Sequence, residues 1–381
     1  MAVALAALSL SGASGCDLGK ITVNTTSKVL KRAQPALKQE ADYDMAARAL
    51  PGTLKTVEGF WFVNPNATLT GILAEGYCQY GVGFVEDEWE LAVLARDLDR
   101  AEYLSARATK MFVRCTNYAL HLLGETWKEN IFGTTDAVSK LIASAGKDER
   151  TGLMWAVVGL SATINQNKDN IAVVSQLPTA RMMLERVVKL DDEHDYRADM
   201  YMRALPHMAL GQVFTAQAKA LGGDPERGKK HFVRAIELTD NKLLLAKVLY
   251  ARRYAVAVGD RQLFRKLLLE VVQTPPSLWP EPRLANEIAQ RRARRDRKQE
   301  KDWLLNDTQQ APPGLPGRSR DRDHALGRAQ HRLRAERRTA HRHPGPQRLG
   351  VDEDPRQGGG RARAGHRRPH HHQVLSQRRP G

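Results

Sequence analysis

Apolar residues recur at intervals of three and four in segment after segment, and the strict alternation of a half-buried strand bounded by turns is missing. Leu69, Ile72, Leu73, Tyr77, Tyr80 and Phe84 form one such stripe, and Leu91, Leu94, Ala95 and Leu98 a second. Further stripes run through residues 103–123, 153–164, 182–190, 205–220, 228–238, 243–258 and 264–272. Helix breakers fall between the stripes, at Gly124, Gly146, Pro178, Gly222-Gly223, Gly259 and Pro275-Pro276. The pattern predicts an all-α domain of about a dozen helices joined by short loops, with helical hairpins as its units.

The hairpins carry a degenerate repeat. Gly228, Phe232 and Ala235 keep a small, large, small spacing of four and three residues, which lets two helices approach closely around one bulky side chain. Ala216 lies twelve residues earlier, where the first helix of a tetratricopeptide unit needs a small residue. Ala108, Phe112 and Cys115 keep the same spacing, Ala180, Leu184 and Val187 fit more loosely, and Phe264, Leu268 and Val271 keep only the large position, with Pro276 where such a unit ends. The first residues of these four sets are 72, 48 and 36 apart, against a regular tetratricopeptide period of about 34. The expectation is a stack of tetratricopeptide-like hairpins with a concave inner side.

Charge changes the picture at the C-terminal end. The chain of 381 residues has a formal balance of +16, but residues 306–381 alone hold 17 Arg against 7 Asp+Glu, which is +10, and leave +6 for the rest. That segment has no Lys, Ile, Met, Phe, Tyr or Trp, so it has too little apolar surface to offset chain entropy and is expected to be disordered. Arg, Gly, Pro and Ala share GC-rich codons, and the abrupt switch to them reads as a frameshifted end. A basic charge confined to such a tail gives no support to a nucleic-acid partner, and the His370-His371-His372 run inside it lacks the ordered surroundings that a metal site needs.

The N-terminal end points to export. Ala2 to Leu10 form a short apolar run, too short to span a bilayer, followed by Ala13-Ser14-Gly15-Cys16. Residues 1–15 read as a secretory signal, and a Cys after Ala-Ser-Gly resembles the bacterial lipobox, in which Cys16 carries the lipid. Residues 16–32 then read as a lipidated linker and 33–305 as the helical domain. The remaining cysteines, Cys78 and Cys115, could pair in an oxidising compartment. Both lie in apolar helical stripes, where a free thiol behaves as a small hydrophobe, and unpaired thiols are the expectation.

A set of residues in order carries a specific resemblance: Asn64-Pro65-Asn66 leading into the helix with Gly76-Tyr77, Leu190-Asp191, Leu221-Gly222-Gly223-Asp224-Pro225-Glu226, His231-Phe232, Arg234-Ala235, and Leu284-Ala285-Asn286 with Ala289 and Arg292-Ala293. This resembles the T component of tripartite ATP-independent periplasmic (TRAP) transporters, lipoproteins with a tetratricopeptide-like fold, from about Ala33 to Leu305. Asp224 and Pro225 also read plainly as an N-cap with Pro at the first helical position. The resemblance implies a periplasm-facing accessory protein that partners the transporter's solute-binding receptor. With no stretch of eighteen uninterrupted apolar residues, the protein is expected to be held at a membrane by lipid only, and a second copy of the chain is a further candidate partner. In the Trp-rich part Trp155 is present, but the second Trp is replaced within Val157-Val158-Gly159-Leu160.

Catalytic signatures are absent: no Gly-rich phosphate loop, Gly-x-Ser-x-Gly, His-Glu-x-x-His or cysteine pair at metal spacing occurs. The expectation is a protein without enzymatic activity, cofactor or metal. The cluster Asp191-Asp192-Glu193-His194-Asp195 reads as a solvated loop after a helix ending at Leu190, and His121 and His207 as isolated structural residues. Tyr77, Tyr80 and Phe84 share a helix face, Tyr250 and Tyr254 are one turn apart, and Trp155 heads an apolar helix. Aromatics of this kind, with Asn286 set in an apolar helix as a hairpin cap or groove residue, are the candidate lining for an organic ligand or a receptor segment. The competing reading is a scaffold lipoprotein of envelope assembly that handles no solute.

Overall fold

In the computed structural model the described residues are 17–194, 199–216 and 223–304, and no strand occurs among them. The signal segment, Cys16 and the Arg-rich tail lie outside the described residues. The order is α1 (Leu18–Lys38), α2 (Tyr43–Val63), α3 (Ala67–Tyr80), a π-helical turn (Gly81–Val85) running into α4 (Glu86–Leu94), α5 (Leu98–Leu123), α6 (Glu125–Asn130), α7 (Thr135–Ser144) and α8 (Arg150–Gln166). It continues with α9 (Ile171–Val174), α10 (Leu177–His194), α11 (Met200–Thr215), α12 (Pro225–Leu238), α13 (Leu244–Leu249), a second π-helical turn (Tyr250–Ala255), α14 (Arg261–Gln273), a 3-10 turn (Pro276–Leu278), α15 (Arg283–Lys298) and α16 (Glu300–Leu304).

Local chemistry sets the starts. Asp42, Asn66, Asp97, Asp199, Asp224 and Asp260 each accept a backbone N–H of the first turn of the helix they precede, which satisfies donors that would otherwise be orphaned. Gly124 and Gly259 end their helices at φ of 94° and 68°, a region that favours glycine.

Each helix then packs on its neighbour in the chain of hairpins: α3 on α5, α5 on α8, α8 on α10, α10 on α11, α11 on α12, and α14 on α15. All four sets are buried, with Phe112, Leu184, Phe232, Phe264 and Leu268 at 0% exposure. A Cβ on Gly211 would lie 2.7 Å from the Phe232 ring, so α11 and α12 meet at this glycine. The small residue of the first helix is therefore Gly211, not Ala216, which caps α11 and is exposed. Gly159 stands 2.8 Å from the Phe112 carbonyl by the same measure, so the α5–α8 contact leaves no room for a Trp at that position.

The stack does not end open. α15 packs back on α1 and α2, and its Ile288 reaches the first π turn, where a Cβ on Gly83 would lie 3.0 Å from Ile288 Cδ1. The described helices thus form a closed ring whose seam joins the last long helix to the first ones.

Five further expectations change. Residues 18–38, read partly as a linker, are the continuous helix α1. The stripe at Leu91, Leu94, Ala95 and Leu98 is not core: α4 ends at Leu94, Leu91 and Leu98 are 37% and 52% exposed, and the buried residue is Ala92. Cys78 and Cys115 form a disulfide across α3 and α5, with Cα atoms 5.2 Å apart, because these two helices are direct neighbours although the cysteines are 37 residues apart. Finally, α10 continues to His194, and Asp191 is buried in a two-pronged bond from Arg150, whose Nε and Nη2 donate to its two oxygens at 2.8 Å each. His207, isolated in sequence, faces His231 with Nδ1 atoms 3.0 Å apart.

Candidate functional site

At the ring's seam three helical segments bring charged side chains together. α4 contributes Glu86, Asp87 and Glu90, the second π turn Arg252 and Arg253, and α15 Arg291, Arg292, Arg295 and Asp296. Positions three and four apart share a helix face, and in α15 the spacing of four runs Leu284, Ile288, Arg292, Asp296, so the last two occupy core registers and are 2% and 0% exposed. Each π turn adds a residue to the helical turn and so re-aims the side chains after it. In the first of them Gly81 and Gly83 admit Phe112 and Ile288, and the Val82 carbonyl accepts from Arg292 Nη2 at 2.5 Å.

Glu90 is the hub. Arg252 Nη1 and Nη2 donate to its two oxygens at 3.1 and 2.6 Å, and Arg295 Nη2 donates at 2.6 Å. Asp87 accepts from Arg291 Nε at 2.9 Å, Arg295 Nη1 at 2.7 Å and the Tyr43 hydroxyl at 3.3 Å, with Arg292 Nε 3.4 Å away. Asp296 accepts from Arg295 Nε at 2.9 Å, and Arg252 Nε lies 3.4 Å from its other oxygen. Glu86 faces Asn165 and Gln166, which donate to its Oε1 at 3.1 and 3.4 Å.

Burial alone would raise Glu90, but the guanidiniums of Arg252, Arg292 and Arg295 hold it well below the usual carboxylate range. Glu86 moves the other way, raised by burial and then by the charge of Glu90, against a weaker pull from Arg292 and the other arginines. Five arginines (252, 253, 291, 292, 295) meet four carboxylates (86, 87, 90, 296), an excess of one positive charge that grows when Glu86 takes up a proton. Lys168 is pushed down to about 8 by desolvation and then by Arg253. Replacing such a network by apolar residues is often neutral or better for stability, so its presence is better explained by specificity or binding than by stability.

The network opens on one side. A cleft of ≈ 520 Å³ is lined by Tyr43, Asp87, Leu91, Glu287, Arg291, Arg294, Arg295, Lys298 and Gln299. Arg291 lies over the Tyr43 ring, 4.4 Å from its centroid. Since Asp87 is already neutralised from below, the rim presents Arg294 and Lys298 to whatever enters. Such a cleft suits an anionic group, an acidic peptide segment or an organic carboxylate, held by charge-assisted bonds.

The residues singled out from the sequence sit elsewhere. Tyr77, Tyr80, Phe84 and Trp155 are 2–5% exposed and belong to the larger apolar core, whereas Tyr250 and Tyr254, at 6%, belong to a second one. The structure does not bring them onto one surface. Tyr77 donates to Glu58 Oε1 at 3.1 Å and stacks on Tyr118; Tyr80 accepts from Arg107 Nη2 at 2.6 Å; Tyr254 donates to Glu226 at 2.7 Å. Tyr250 stacks on Phe232, and Phe84 alone borders the cleft, through Tyr43 at 4.9 Å. Asn286 is at 0% exposure and ties backbone together: its Oδ1 accepts from Leu244 N at 2.9 Å and its Nδ2 donates to the carbonyls of Lys242 and Pro276 at 3.0 and 3.4 Å. Of its two candidate roles the structure supplies the cap. The charge network was missed because each arginine taken alone reads as solvated; the available signal was Arg292 and Asp296 in phase with Leu284 and Ile288.

Residues 39–304 match the family described as TRAP transporter T-component. A protein of Treponema pallidum (strain Nichols), described as an uncharacterized protein, is 24% identical over 277 residues, which cover 70% of this chain and 82% of that one.

Proposed function

The chain belongs to the TRAP transporter T-component family, and on that premise we propose that it is a lipid-anchored accessory protein on the periplasmic face of a bacterial membrane that docks the transporter's solute-binding receptor through the cationic cleft at the ring's seam. The observation that carries the docking site is the arginine-rich cleft seated on a buried ion network, which fixes the Arg291 and Arg295 side chains in place before a partner arrives. Pre-ordered arginines lose little entropy on binding. The Cys78–Cys115 bond suits an oxidising compartment, no described helix is long and apolar enough to cross a membrane, and the lipobox-like sequence before Cys16 supports attachment there. The proposed role is binding without chemical turnover.

The test is co-purification, from detergent extracts of the source cells, with a TRAP-transporter solute-binding receptor, and then affinity measurement with Arg294→Glu and Lys298→Glu. Both side chains sit on the rim, so the double variant should keep its thermal midpoint while affinity falls on the order of tenfold and loses its salt dependence. Recovery of envelope-assembly proteins without a receptor would favour the scaffold reading. Unchanged affinity in the double variant would remove the cleft from the interface.

A further inference from the structure

α1 has an outward face that none of the other described residues covers. Val23 and Ser27 are its buried residues, while Leu18, Ile21 and Val29 are 74%, 50% and 60% exposed on the opposite side. At 3.6 residues per turn these three fall within an arc of about 80°. Phe62 and Val63, at the end of α2, are 74% and 57% exposed and stand beside the start of α1. They are held there by Asn64, whose Nδ2 donates to Asn24 Oδ1 at 2.9 Å and lies 3.5 Å from the Lys20 carbonyl. Single exposed apolar side chains are ordinary; a group gathered at one corner marks an interaction surface.

The charge beside this patch narrows the occupant. α1 contains Lys20, Lys28, Lys31, Arg32 and Lys38 and no acidic residue; Lys20 pairs with its N-cap Asp17 at 3.5 Å and Lys38 with Glu75 at 2.5 Å, and at 3.6 residues per turn Lys28 and Arg32 are the cations beside the stripe. An apolar stripe bordered by Lys28 and Arg32 is complementary to anionic headgroups over acyl chains. A protein partner would more naturally be met by mixed charges. The sequence then supplies a location, because Cys16 is bonded directly to Asp17 and a lipid on it enters the bilayer within a residue's reach of Leu18.

We propose that α1 is an interfacial helix: its outward face, together with Phe62 and Val63, lies in the headgroup region of an anionic phospholipid membrane and holds the body flush with the bilayer instead of on a free tether. This rests on the reading of Cys16 as the anchor for its orientation, but not for its chemistry. Apolar residues entering the acyl boundary and lysines at the headgroups give a second attachment signal beside the lipid.

The experiment uses the mature protein in vesicles of phosphatidylethanolamine and phosphatidylglycerol, with nitroxide labels on Ile21→Cys, Val29→Cys and Phe62→Cys, and a control on Lys140→Cys in α7, a helix that packs on α6 and α10. Labels at 21, 29 and 62 should show a ratio of oxygen to nickel-chelate accessibility at least about threefold above the control, as insertion into the apolar boundary requires. In phosphatidylcholine alone the excess should shrink for an unlipidated chain, whose binding then loses its electrostatic part. The mass of the N-terminal peptide reads the state of Cys16 independently. A lipidated Cys16 with all labels aqueous overturns the proposal and leaves the anchor standing; an unmodified Cys16 with protected labels does the reverse. Labels already protected from nickel without vesicles, with spin–spin broadening, would mark a contact between copies and also overturn it.

Discussion

Cutting the Cys78–Cys115 bond should destabilise the domain chiefly through the unfolded chain. The bridge closes a loop of sequence separation 37, for which chain entropy gives about 13 cal/mol/K, or about 4 kcal/mol at room temperature. The native-state side of the balance is small. Both sulfurs are buried, and the Trp155 carbonyl lies 3.6 Å from Cys78 Sγ and 3.2 Å from Cys115 Sγ, so the reduced thiols have an acceptor within reach. For a domain of this size about 4 kcal/mol corresponds to a fall of roughly 8–15 °C in thermal midpoint. Urea unfolding of the oxidised protein, the reduced protein and the Cys78→Ala/Cys115→Ala variant measures the loss, and thiol titration in denaturant counts the bridge. The alanine variant should lose somewhat more than the reduced protein, since it also removes the buried sulfurs. Two free thiols in protein recovered from an oxidising compartment, or oxidised and reduced forms with the same midpoint, would refute the reasoning.

Asn286→Ala should cost about 3 kcal/mol, because it leaves Leu244 N and the Lys242 carbonyl without their buried partner; receptor affinity per folded molecule, measured alongside urea unfolding, should not change. The His207–His231 pair predicts a pH response. Burial and then His231 push His207 down to about 3, and His231 is lowered by burial and then Arg227. A depressed folded-state value means that the unfolded chain takes the proton first. The stability is therefore complete above the ordinary histidine range near 6.5 and is lost as pH falls toward 3. Between pH 8 and 5 His207 alone should account for up to about 2 kcal/mol, and His207→Gln should flatten that slope in urea unfolding at several pH values.

Much of the architecture was open to reading along the chain. The helical period, the Asp and Asn caps and the breakers at Gly124 and Gly259 stem from interactions within a few residues of one another, which a linear pattern records directly, and the same period marked Phe112, Phe232 and Phe264 as inward-facing. Family membership was legible for the same reason, since its motifs are short and keep their order. The tertiary structure decided the rest. Glu90 meets Arg252 across 162 residues and Arg295 across 205, and Asp87 meets Arg291 across 204, and no local period encodes a partner at that distance. The return of α15 to α4 and the second π turn made charged residues that read as solvated into a buried network with a cleft above it, while its contact with α13 placed Asn286 on backbone groups and packing among other helices put the candidate aromatics in two separate cores. A stripe says that a side chain faces inward; what it faces depends on where the chain returns, and that is settled only when the helices are packed.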